Sequence, residues 1–267
     1  IKLLSKTIPA SQIMIILGIL GSVFFVTAAI VAKQPIISKD LLDKHVIIRT
    51  LGDLFGALFF VSAIVLTPLS SASAILQGTP LAVTAGAALF LGEAVGLRRW
   101  LAVLVGFIGI ILIIKPGVAD FSPLSLLAVA AVICLSARDL ATRAMSVALP
   151  TITISIYAFV ALALAGVLAI PFYGSFVSPD LSECALFMLG ISSGVVAYYL
   201  IVGATRYGDA SLIAPFRYSR LIFAMLLSLF ILGERPDLFT WIGASVIVLS
   251  GYFIALRERS IKKVKNE

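Results

Sequence analysis

Charge is scarce in this chain of 267 residues: 12% are Asp, Glu, Lys or Arg, against 61% apolar residues. A soluble domain carries roughly a quarter charged and about half apolar residues. The composition therefore excludes a soluble fold and implies an integral membrane protein. Histidine is limited to His45, which lies in a short polar loop. A proton relay inside the membrane would have to use a carboxylate such as Asp53 instead. Cysteine is limited to Cys134 and Cys184, both in or beside apolar runs, which supports neither a disulfide framework nor a metal site. The chain has no P-loop, so nucleotide hydrolysis on that motif is excluded. It also has no HExxH and no paired acids in mid-span, which speaks against an intramembrane enzyme, and no cofactor is expected. The net charge of +7 is carried mainly by loops and tail, where it sets membrane orientation rather than attracting nucleic acid.

What the chain has instead is long apolar runs. A span needs about 20 mainly apolar residues. Nine such runs occur, at 12–32, 47–66, 70–91, 99–115, 122–143, 151–172, 184–204, 210–232 and 238–256. The loops between them are short, such as "TPLSS" at 67–71 and "ERPD" at 234–237, so consecutive helices are antiparallel neighbours in one bundle.

The runs repeat. An offset of 141 residues lays "LGE" at 91–93 on "LGE" at 232–234, Trp100 on Trp241, Pro9 on Pro150 and Ser70 on Ser211, without a gap. The fold class expected is an all-α polytopic membrane protein built from two homologous repeats, 1–117 and 118–267. The run at 122–143 has no counterpart in the first repeat, because its counterpart would precede Ile1. The repeat thus predicts one further helix ahead of Ile1, giving five helices per half. An odd number per half makes the two halves insert in opposite orientation, the inverted-repeat plan of many secondary transporters.

Charge agrees with the inversion. One side of the bundle receives Lys33, Lys39, Lys44, Arg49, Arg98, Arg99, Arg138, Arg143, Arg206 and the basic tail "RERSIKKVKNE". The other receives Lys2, Lys6, Lys115 and Arg235. The positive-inside rule puts the first side and the carboxy terminus in the cytoplasm. The lysine-rich loop at 33–46 corresponds to 174–187, which has Asp180 and Glu183 and no Lys or Arg.

Charges inside the spans have simple readings with one exception. Asp139 and Arg143, and Arg49 and Asp53, stand four apart and can pair along a helix. Arg138 is near enough to a helix end to snorkel. Glu93 and Glu234 end their helices, where the dipole disfavours an anion, so donors at the start of the following helix are expected to compensate. The exception is "APFRYSRLIFAMLLSLFILGE" at 214–234. Entry near Asp209 puts Arg220 roughly 16 Å deep, about the middle of the hydrocarbon. A central Arg costs about 2.5–3.5 kcal/mol, and each Leu, Ile or Phe returns only about 0.3–0.6. Arg217, Arg220, Ala224 and Ser228 share one helical face, which must point inward. There the arginines meet either a carboxylate such as Asp53 or the anionic group of a substrate. In the equivalent run, Ser73, Gln77, Pro80 and Thr84 share a neutral polar face, and mid-span Pro80 frees a backbone carbonyl. Tyr198 and Tyr199 are candidate cavity walls. "GDLFG" at 52–56 and "GISSG" at 190–194 are GxxxG patterns that allow close helix contact.

Taken together, these stretches resemble a known family. "LTPLSSASAILQGTPLAVTAGAALFLGEAVGLRRWLAVLVGFIGIILIIKPG" and "YGDASLIAPFRYSRLIFAMLLSLFILGERPDLFTWIGASVIVLSGYFIALRER" resemble the ends of the two EamA repeats of the drug/metabolite transporter superfamily. "CLSARDLATRAMS" resembles the opening helix of the second repeat. The resemblance implies ten helices, cytoplasmic termini and a central cavity in a bacterial inner membrane, with the first helix lying ahead of this chain. The function expected is secondary transport of a small polar metabolite, anionic or zwitterionic and amino-acid-like or nucleotide-like, by alternating access. Arg217, Arg220, Gln77, Thr84, Tyr198 and Tyr199 would bind it, Asp53 would be an ion pair or proton site, and Glu93 and Glu234 would be structural. The alternatives are a non-transporting membrane scaffold and an intramembrane enzyme. Expected partners are the substrate and the bilayer, with a homodimer open as an assembly and no nucleic acid.

Overall fold

Proline marks the start of several helices. In a computed structural model of the chain, Pro9, Pro68 and Pro150 each stand immediately before a helix, with φ of −56°, −56° and −58°. Proline is pre-set for that position, and its missing N–H is one that a first turn leaves unbonded anyway. The structure describes residues 1–93, 95–116, 122–145, 149–207 and 210–266, without the side chains of residues 39, 205–216 and 258–266. The helices are α1 (Ala10–Val31), α2 (Lys44–Leu66), α3 (Leu69–Leu76), α4 (Thr79–Phe90), α5 (Leu97–Ile114), α6 (Ser125–Ala144), α7 (Thr151–Tyr173), α8 (Leu181–Tyr207), α9 (Ala210–Phe230) and α10 (Leu238–Asn266). No strand occurs among the described residues. Among the described residues, eight segments are long and apolar enough to cross a membrane, with Leu69–Phe90 counted as one segment. The ninth run is helix α9, of 21 residues. Asp209, from which the depth of Arg220 was measured, lies outside the described residues.

The duplication is visible in local geometry. Helices α1 and α7, α3 and α9, and α5 and α10 start at positions 141 apart. Gly92 and Gly233 take φ of +66° and +67°, and the N–H of the glutamate after each bonds six residues back, Glu93 to Ala87 O at 3.1 Å and Glu234 to Ser228 O at 2.9 Å. A glycine at positive φ is a common way to close a helix, because other residues rarely tolerate that conformation. Two "LGE" triplets thus end two helices in one way.

The chain forms two compact units, Ile1–Val65 with Ala137–Tyr207, and Leu66–Ser136 with Gly208–Glu267. Each unit therefore takes one segment from the first half and its counterpart from the second. In unit 1, α1 packs along its copy α7; a Cβ added at Gly18 would lie 2.4 Å from the backbone N of Ala163. Buried Gln12 also holds the loop ahead of α8, donating to Val177 O at 2.7 Å and accepting from Val177 N at 2.9 Å. In unit 2, α5 packs along its copy α10. The two backbones meet at Gly109 and Gly243, where an added Cβ would lie 2.8 and 2.5 Å from the opposite carbonyl oxygen. Beside that contact, Lys115 at the end of α5 pairs with Asp237 ahead of α10. Burial works to raise the Asp237 carboxyl, but bonds from Lys115 and Thr240 outweigh it and hold it below the usual carboxylate range.

Helices in lipid associate by close packing rather than by apolar burial, so small residues at a crossing carry the contact. Gly243→Val would drive two methyl groups into the Gly109 backbone. Overpacking of this kind costs about 1–3 kcal/mol. Thermal unfolding of the purified variant in detergent should show a lowered midpoint, whereas Gly233→Asn, which keeps a residue tolerant of positive φ, should change it little.

Candidate functional site

The polar residues of unit 2 gather at a broken helix. Pro80 has no N–H to offer the carbonyl of Leu76, and the Thr79 hydroxyl donates to that oxygen instead, at 2.7 Å. Gln77 N and Gly78 N bond three residues back, to Ala74 O at 3.1 Å and Ile75 O at 2.9 Å. The expected continuous span 70–91 is thus two helices, α3 and α4, with Pro80 in the first turn of the second. The copy α9 carries Leu221 at the position of Pro80 and runs unbroken.

The break places Gln77, 3% exposed, against α9. Its amide donates to Arg217 O at 3.1 Å and its carbonyl accepts from Arg220 Nη2 at 3.2 Å. One neutral side chain thus fixes both the backbone at Arg217 and the guanidinium of Arg220. Arg217 is half-buried and Arg220 exposed within the unit, while Ala224 and Ser228, further along the same face, are buried. Ser228 donates to Glu234 Oε2 at 2.5 Å. Glu234 also accepts from the backbone N–H groups of Leu69 (3.0 Å) and Ser70 (3.4 Å). The donors compensating this glutamate are therefore those at the start of α3, not of the following helix α10; an anion there meets unbonded N–H groups and the positive end of the dipole. Glu93 ends α4 with the backbone closure described above. Thr84 turns its hydroxyl to Pro80 O in its own helix, at 2.9 Å.

Unit 1 holds the other charges. Asp53, 6% exposed, lies 3.0 Å from Arg49 Nη1 and 3.2 Å from Arg138 Nη1. Arg138 is turned to Asp53 and to Asp139 (2.8 Å), rather than snorkelling to a helix end. Arg49 Nη2 donates to Tyr198 Oη at 3.0 Å. The pairing of Arg49 with Asp53 was legible from their spacing; Arg138 and Tyr198 joined the cluster unannounced. Their one signal in sequence is that each is a polar residue well inside a span. Tyr199, the neighbour of Tyr198, points elsewhere, into a cleft of about 310 Å³ lined by Gln34, Pro150, Thr151, Ile152 and Gly203. "GISSG" also reads as G-x-S-x-G, a pattern that marks a nucleophile only on a sharp strand-to-helix turn. Here it lies inside α8, and Ser192 and Ser193 bond Leu189 O of their own helix at 3.1 and 2.6 Å. Among the described residues no cluster of His, Cys, Asp or Glu could hold a metal ion.

Residues 1–115 and 123–256 both match the EamA-like transporter family. The chain belongs to that family. It is 30% identical to an S-adenosylmethionine uptake transporter of Rickettsia bellii over 82% of this chain and 75% of that protein. It is 32% identical to a riboflavin transporter of Vibrio cholerae over 75% of this chain and 66% of that one. A pseudopaline exporter of Pseudomonas aeruginosa is 26% identical over 94% and 87%. One crystal structure shares the fold with a TM-score of 0.68 at 23% identity, over 95% of this chain and 90% of the other. Within the drug/metabolite transporter superfamily this EamA protein is a multi-pass membrane transporter of a small molecule, and the family is not one of enzymes.

If Glu234 serves to close the start of α3, Glu234→Ala should lower the unfolding midpoint in detergent by the equivalent of about 1–2 kcal/mol, the usual cost of a lost cap. Glu234→Gln, which keeps an acceptor without its charge, should lower it less. An unchanged midpoint in the alanine variant would remove the capping role.

Proposed function

We propose that this EamA protein is a secondary active transporter of a small polar metabolite with an anionic group, zwitterions included, working by alternating access. The observation that carries the reading is the arrangement of Gln77 against Arg217 and Arg220. Two arginines on one membrane helix are costly on insertion scales. Gln77 accepts from Arg220 and so orients its guanidinium. A planar fork held in this way suits a carboxylate or phosphate. Relatives named for S-adenosylmethionine and riboflavin support a small metabolite; the charge preference rests on the arginines. Thr84, on the same unit as the arginines, is proposed to shape the path rather than to bind charge. The absence of a P-loop leaves gradients or exchange as the source of energy.

Arg220→Lys keeps the charge but loses the fork, and should weaken transport by roughly 10- to 100-fold in KM, the worth of one charged hydrogen bond. Arg220→Ala should abolish transport while the protein still inserts and unfolds cooperatively. Uptake or efflux at the parental rate by a well-folded Arg220→Ala protein would end this reading.

The asymmetry of Lys and Arg between the two sides supports a bacterial plasma membrane location with the basic tail in the cytoplasm. Single cysteines introduced as Gln34→Cys and Ser175→Cys should then behave oppositely in intact cells. An impermeant thiol reagent should label the second and spare the first, and the reverse pattern would invert the orientation.

A further inference from the structure

The charged network of unit 1 plays no part in the binding reading above, and it is poorly built as a stabilising tie. Arg49 and Asp53 are 5% and 6% exposed. Even so, Arg49 Nε has no hydrogen-bond partner, and Asp53 Oδ2 has its arginine near but no directed hydrogen bond. A buried ion pair offsets its desolvation only when the geometry is good and the remaining donors are satisfied; otherwise apolar replacements do as well or better. Stability alone therefore gives no account of the buried Arg49 and Asp53.

The pattern of pairing does give one. Asp53 is shared between Arg49, four residues earlier in its own helix α2, and Arg138 of α6. Arg138 is likewise shared between Asp53 and its neighbour Asp139. An ion pair joins α6 to α2 from Arg138 Nη1 to Asp53 Oδ1, and its 3.2 Å exceeds the 3.0 Å between Arg49 and Asp53 and the 2.8 Å between Arg138 and Asp139. Breaking it leaves Arg49 with Asp53 on α2 and Arg138 with Asp139 on α6. Each helix then keeps a neutral pair, and no charge is stranded in hydrocarbon, where a lone one would be costly. The contact sits at a joint in the chain. Up to Ser136, which bonds Thr79 O at 3.4 Å, α6 belongs to unit 2; from Ala137 it belongs to unit 1.

We propose that Asp53 and Arg138 form an intramembrane latch that holds the carboxy-terminal half of α6 on α2 and is broken and remade in each transport cycle. The proposal rests on the alternating-access reading. Tyr198 extends the latch to α8 through Arg49. A contact that separates into two neutral pairs has two states of similar energy, as a switching element requires.

The test uses the full-length protein with Cys134→Ser, Cys184→Ser and any cysteine outside these residues replaced in the same way. Ala141→Cys then places a reporter one turn beyond Arg138, at a position 5% exposed. The neutralising pair Arg138→Gln and Asp139→Asn removes the α6 side of the latch and leaves Arg49 with Asp53. Labelling of the reporter by a water-soluble maleimide, without substrate, should become on the order of tenfold faster as the open state gains population. The unfolding midpoint should stay within a few degrees of the parent, as expected when an imperfect buried pair is removed whole. Unchanged labelling would overturn the latch. A large fall in the midpoint would overturn it too, since the network would then be a structural clamp. The binding reading is judged separately, by transport in Arg220→Ala, so the two can fail independently.

Discussion

Hydrocarbon has no water with which to complete a hydrogen bond, so each polar group inside the bundle must find its partner in the protein. That constraint organises the polar interior of this transporter. In unit 2 it is met at the break between α3 and α4, where proline withholds one donor and Thr79 supplies another. The break in turn frees Gln77 from a helix interior and sets it against α9. The placement of Arg220 therefore depends on how one carbonyl, that of Leu76, is satisfied.

The same constraint explains why charges here come in groups. Glu234 lies at the wrong end of its own helix and at the right end of another, with two N–H groups of α3 and the Ser228 hydroxyl converging on its carboxylate. Asp53 is placed between two arginines, and one of those is shared with Asp139. Arg220 is oriented by the amide oxygen of Gln77.

Duplication gives the molecule its plan, and departures from duplication give it its chemistry. Paired helix starts, paired glycine closures and the packing of α1 on α7 and α5 on α10 all follow the offset of 141 residues. The polar features do not. Gln77 corresponds to Tyr218, Pro80 to Leu221, and Asp53 to Gly194. One half contributes a broken helix with a neutral polar residue, the other a continuous helix with two arginines. Two identical halves could not have supplied a cation and the group that orients it.

Helix identity, span boundaries to within a few residues and the duplication were determined by the sequence, because each rests on neighbours along the chain: apolar runs, prolines at starts, glycines at ends. The pairing of Arg49 with Asp53 was legible for the same reason, since helical spacing is local; of the α9 face expected to point inward, Ala224 and Ser228 are buried and Arg220 is exposed. The closing of Glu234 on α3, at a separation of 164–165 residues, was decided by tertiary structure. So was the reach of Arg138 to Asp53 across 85 residues. Spacing along a chain states which side chains share a face of one helix; which helix that face meets is settled only when close-packed backbones choose their neighbours. The site of the break was also tertiary in part. Pro80 announces that a hydrogen bond is missing, but an added Cβ at Gly78 would lie 2.4 Å from the Ile110 side chain, so the turn sits where α5 approaches closely.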